Sequence, residues 1–138
     1  MSINNTTADK KSASSVLALS VLSDSKIFRY TCLAGATIII SSLFWLGTKP
    51  VAIGLFPPPL DKGAHFAIFG LIAAMLWFSI LRGRPWLVIA LVSLVGAADE
   101  IHQIYLPGRS AGFDDWATDI FAAVIVTALL AYASRYVK

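Results

Sequence analysis

A chain of 138 residues has room for one domain, and 57% of this one is hydrophobic while only 14% is charged. A water-facing globular surface needs about a quarter of its residues charged, so a mean hydropathy of +0.74 points to a surface made for lipid. The net charge of +3 is not gathered into a basic patch with interleaved aromatics, which argues against a nucleic-acid partner.

Residues 1–29 differ from everything after them. MSINNTTADKKSASS is polar and poor in apolar residues, and the expectation is a flexible, disordered cytoplasmic tail. Val16 to Leu22 is apolar, but too short for a comfortable signal-peptide core and followed by SDSK rather than a small-residue cleavage site. Cys32, the single cysteine, lies in an apolar run and suits a small buried hydrophobe.

Four apolar segments follow, and helices are predicted at about 30–47, 62–81, 85–106 and 114–136. About 20 helical residues cross a hydrocarbon core of roughly 30 Å. The first two segments meet that length outright. The third does so by carrying Asp99 to Gln103 into the outer membrane region, and the fourth begins with acids before its apolar body. Breakers fall between them: GTKP and FPPPLDKG, then RGRP, then LPGRSAG. The fold expected is all-α, a four-helix transmembrane bundle over residues 30–138. A soluble helical core is the alternative, but four such runs leave too little polar sequence to wrap them.

Lys/Arg bias sets the orientation. With the N-terminus inside, four spans put Lys10, Lys11, Lys26, Arg29, Arg82, Arg84, Arg135 and Lys138 inside, and only Lys49, Lys62 and Arg109 outside. The expectation is N-in/C-in. Six of the eight acids (Asp61, Asp99, Glu100, Asp114, Asp115 and Asp119) then fall on the outer side.

That side carries the chemistry. Asp61 and His65 are four apart and share a helix face. Asp61 also opens the helix, where a capping carboxylate is as good an explanation. His65 lies about a turn inside an apolar span, where an imidazole needs a partner. Asp99, Glu100 and Gln103 share one arc of the third helix, with His102 at its edge and Ile101 pointing away. Asp115 and Asp119 share a face of the fourth, with Asp114 better placed as its cap. Arg109, in the turn between, is the expected counter-ion, for a carboxylate or for an anionic ligand. Bundle packing would bring these groups into one cup. The set could coordinate a divalent cation, although no spacing matches a specific metal motif. It could equally supply general acid and base, or only a network that holds the fold.

The order Asp61-Lys62-x-x-His65-Phe66, Asp99-Glu100-x-x-Gln103, Pro107-Gly108-Arg109-Ser110 and Asp115-x-x-x-Asp119 resembles the VanZ-like family of small membrane proteins, over about residues 33–135. The family often has Ser at Gly112, Asn at Asp119 and Gly at Ala122. The resemblance implies a multi-pass protein of the bacterial cytoplasmic membrane and a link to low-level teicoplanin resistance. The site residues expected are Asp61, His65, Asp99, Glu100, Gln103, Arg109, Asp115 and Asp119. The leading expectation is an outward-facing site that binds or modifies an envelope component, such as a lipid-linked precursor or a lipid head group, in a protein free to oligomerise. A proton- or ion-linked transporter and a non-catalytic structural or partner-binding protein are the alternatives.

Overall fold

The computed structural model describes residues 25–57 and 59–135. The expectation of a flexible tail over residues 1–29 therefore falls largely outside the described residues. Four α-helices make up the described chain: α1 (Lys26–Gly47), α2 (Leu60–Phe78), α3 (Pro85–Ile104) and α4 (Phe113–Ser134), with one 3-10 turn at Pro50–Ala52. Among the described residues there is no strand, and each helix is long and apolar enough to cross a membrane. The first helix begins at Lys26, four residues before the sequence placed it, so Lys26 and Arg29 belong to the helix rather than the tail.

Breakers set the remaining boundaries. Pro85 occupies the first turn of α3, where its missing N–H costs nothing. Leu106-Pro107-Gly108-Arg109 closes on a hydrogen bond from the Arg109 N–H to the Leu106 carbonyl, 3.2 Å. Gly108 sits at φ 77°, where a turn of this kind requires glycine.

Contacts at the two ends show the helices running up and down in turn. At one end the Arg29 side chain, near the start of α1, donates to the Ser79 carbonyl just past α2, 3.0 Å. At the other, Gly47 at the end of α1 lies beside His102 at the end of α3. His65 of α2 meets Asp119 of α4 near that same end. The core comprises Ala36, Phe69, Ile72, Ala73, Leu76, Trp77, Val88, Val92 and Ala123. Its small residues let the backbones approach, as helix packing without a hydrophobic driving force demands. Leu71, Leu94, Ile101, Phe121 and Leu129 point outward, as lipid-facing side chains should. The least embedded helix is α1, in which only Ala36 is buried.

Candidate functional site

The end where α2 and α4 begin and α1 and α3 finish collects the polar residues. Two ties join α2 to α4. The Lys62 ammonium binds Asp114 at 2.5 Å and also Asp115. One turn deeper, His65 Nδ1 meets Asp119 Oδ1 at 3.0 Å, with Asp119 fully buried. A carboxylate accepts, so the proton of this bond sits on Nδ1 and leaves the lone pair on Nε2. The imidazole stacks on Phe69, ring centroids 5.8 Å apart and planes 4° from parallel, which fixes its plane.

Asp99, Glu100 and Gln103 form the α3 side, and all three are buried. Gln103 donates to Asp99 Oδ2 at 2.8 Å, an i,i+4 bond along the helix. Glu100 Oε2 accepts the Gly112 N–H at 2.6 Å, which pins the start of α4 against the end of α3. Trp116 adds a second clasp, its indole N–H donating to the Ser93 carbonyl at 3.0 Å. Asp119 fits beside α3 only because residue 96 is glycine. A Cβ there would stand 2.7 Å from Asp119 Oδ2 and 3.3 Å from its Cβ.

Three polar atoms of this region are buried without a partner: Glu100 Oε1, Asp119 Oδ2 and Arg109 Nε. Buried polar atoms nearly always find one, and these three gather at one end of the bundle. One donor atom each from His65, Glu100 and Asp115 also lies within 4.8 Å of the others, a grouping suited to a cation.

Beside the cluster, between α1, α2 and the connector after α1, lies a cavity of ≈ 380 Å³. Its lining is mostly apolar, with Ile38, Ile39, Leu43 and Leu46 of α1 and Ile68 and Phe69 of α2, and it also includes the polar side chains of Asp61, His65, Asp99 and Arg109. Glu100 lines a second, more open cleft with Ala97, Ile101, Phe113 and Trp116.

Most residues singled out from the sequence meet here, with differences in role. Asp61 lines the cavity and accepts the Lys62 N–H at 2.8 Å, inside the first turn, while Pro59 holds the cap position. Arg109 forms no ion pair with a carboxylate among the described residues; its guanidinium donates to the Ala52 carbonyl at 2.7 Å and braces the connector after α1. The counter-ion is Lys62, a motif position to which the sequence had assigned no charge partner. His102 lies apart, against Phe44 of α1 at 5.3 Å between ring centroids. Asp114 is exposed and tied to Lys62, not a buried member.

Residues 4–134 match the family model for VanZ/LLP1. The chain belongs to the VanZ/LLP1 family. With four helices able to span a membrane, it is a multi-pass VanZ-like membrane protein whose surroundings are a lipid bilayer. No curated protein and no solved structure matches the chain. The VanZ/LLP1 match begins at residue 4, well ahead of the motifs that start at Asp61, so family character reaches into the segment before α1. In this VanZ-like protein two departures from the usual family residues have a visible setting. The carboxylate of Asp119 is held by His65. Ala122 is fully buried, its Cβ 4.0 Å from where a Cβ on Gly70 would stand, so α2 supplies the small residue at that crossing.

Proposed function

We propose that this protein binds a cell-envelope amphiphile, a lipid-linked precursor or a phospholipid, with the head group at the polar residues lining the cavity and an acyl or prenyl portion along α1. The observation that carries this reading is the mixed lining of the cavity: aliphatic side chains of α1 and α2 together with Asp61, His65, Asp99 and Arg109. A binding site for an amphiphile needs such a mixture, apolar for shape and a few polar groups for orientation. Arg109 is the natural partner for an anionic head group, because its Nε is buried and unpaired.

In the orientation set by the Lys/Arg bias, this end faces away from the cytoplasm of a bacterial cytoplasmic membrane, where teicoplanin-type antibiotics act. The histidine and carboxylates beside the cavity are groups that could also modify the bound molecule by acid–base chemistry. Less favours a transporter. Beyond the cluster the buried polar side chains among the described residues are Ser79 and Thr127, and both hydroxyls donate to carbonyls of their own helix turns.

The test is native mass spectrometry of the protein released from bacterial membranes in mild detergent. Wild type should retain one lipid or lipid-linked precursor. Ile38→Trp, which fills the cavity from an exposed α1 position, should lose it while keeping the wild-type melting temperature, and Arg109→Ala, which also removes the brace on Ala52, should lose it as well. Equal retention by all three overturns the reading. Loss of melting temperature in place of lipid would favour the structural role.

A further inference from the structure

His65, Glu100 and Asp115 come from three different helices, yet one donor atom of each lies within 4.8 Å of the other two. A divalent ion with bonds of about 2.0–2.2 Å holds its donors roughly 3–4 Å apart. Closing the remaining gap asks for side-chain shifts of under about an ångström.

The bonds these residues already make leave each with one further donor atom. His65 uses Nδ1 on Asp119, so Nε2 carries the lone pair. Glu100 uses Oε2 on the Gly112 N–H, and its Oε1 is buried without a partner. Asp115 uses Oδ1 on Lys62, and its Oδ2 lies 3.2 Å from where a Cβ on Gly112 would stand, so glycine keeps that space open. Behind the imidazole stands Asp119, 0% exposed, an arrangement that in metal proteins fixes the histidine ring and raises its basicity as a ligand.

Charge points the same way. Asp99, Glu100 and Asp119 are all at least nine-tenths buried. The nearby cations do not reach them: Lys62 is shared between Asp114 and Asp115, and Arg109 is turned to a backbone carbonyl. Carboxylates held this close in dry surroundings need a proton or a cation between them.

We propose that His65, Glu100 and Asp115 bind one divalent transition-metal ion, with Asp119 positioning His65 from behind. An imidazole among the donors favours ions such as Zn²⁺ or Mn²⁺ over Mg²⁺ or Ca²⁺, which take oxygen ligands. The site takes its donors from α2, α3 and α4 and none from α1, and it shares only His65 with the lining of the cavity.

The experiment uses the full chain in detergent, stripped with a chelator and dialysed to equilibrium against Zn²⁺ or Mn²⁺, with metal counted by elemental analysis. Wild type should take up about one ion per chain, and Co²⁺ should give visible absorption of a bound nitrogen- and oxygen-ligated ion. His65→Ala and Glu100→Gln should lower affinity by two orders of magnitude or more. Asp119→Asn should lower it about 10–100-fold, as loss of a carboxylate behind a ligating histidine does. His102→Ala, which removes the other imidazole, should bind as wild type. Melting temperatures recorded alongside separate lost binding from lost fold. The proposal is overturned if wild type takes up less than a tenth of an equivalent, if Glu100→Gln binds as wild type does, or if His102→Ala loses binding as His65→Ala does.

Discussion

Replacing Gly96 by alanine tests the packing on which the whole site depends. In a helix interior the change by itself stabilises by about 0.5–1 kcal/mol, through the lower backbone freedom of the unfolded chain. Here the new Cβ would stand 2.7 Å from Asp119 Oδ2, 3.2 Å from Trp116 Cδ1 and 3.3 Å from Asp119 Cβ. The contact includes a side-chain root and a carboxylate with no exposed surface to retreat into. Overpacking of this kind costs about 1–3 kcal/mol. If Asp119 is pushed off His65, a charge-assisted hydrogen bond worth about 1.5–3 kcal/mol is lost as well. The balance is a destabilisation of up to about 2.5 kcal/mol if Asp119 keeps His65, and of about 1.5–5.5 kcal/mol if it does not. Gly63→Ala is the matched control, because a Cβ there meets nothing within 4 Å; it should stabilise by about 0.5–1 kcal/mol. Unfolding of both variants by SDS in mixed micelles, followed by tryptophan fluorescence, gives the two differences on one scale. The reasoning fails if Gly96→Ala proves as stable as Gly63→Ala.

Two other outcomes are expected. Trp116→Phe keeps the aromatic contact with Phe113 but removes the indole bond to the Ser93 carbonyl. It should cost about 0.5–1.5 kcal/mol in the same assay and leave metal uptake unchanged; a loss above about 3 kcal/mol would mean the clasp does more than one hydrogen bond can. For orientation, in a Cys32→Ser background, a cysteine at Ser110 should react with a membrane-impermeant maleimide on intact cells, and one at Arg84 only after permeabilisation. The reverse pattern would put the polar end in the cytoplasm and remove the envelope reading.

Much of the molecule was legible because its signals are local. Uncharged runs gave the spans, and proline and glycine gave the turns, which is why three of the four helix starts fall within two residues of the expected places. The exception is α1. Lys26 and Arg29 looked like tail because they are charged, but their long side chains can reach past a helix end, and Arg29 binds the Ser79 carbonyl from inside α1. That these polar residues would gather at one end of the bundle was legible too, since shared helix faces follow from the 3.6-residue repeat. Its pairing was not. Whether Arg109 or Lys62 neutralises Asp115 depends on which of two cations the turn geometry turns inward. Gly108 directs Arg109 toward the connector after α1, leaving Lys62 nearest to α4. Gly96 and Trp116 were missed for a related reason: each acts only through a residue on the neighbouring helix. A small residue within an apolar run was the only trace of Gly96, and such residues are common in membrane helices.

The division between the helices limits how the site can work. Every polar tie within the cluster joins α2, α3 and α4: Lys62 to Asp114 and Asp115, His65 to Asp119, Glu100 to Gly112, and Trp116 to Ser93. Those three helices can hold the carboxylates and the histidine in place without help from α1. What α1 supplies is aliphatic lining of the cavity, and it buries only Ala36 in doing so. Its polar attachments are at its two ends, through Arg29 to Ser79 and, after the helix, through Ala52 to Arg109. Arg109 therefore has two calls on it, since the guanidinium that braces the connector also faces the cavity. An anionic head group at the unpaired Nε would meet the same side chain that fixes the α1 wall, so filling the cavity and ordering that wall are coupled through one residue. Loss of Arg109 should accordingly loosen the wall and weaken the ligand together, whereas loss of Glu100 should leave the wall intact.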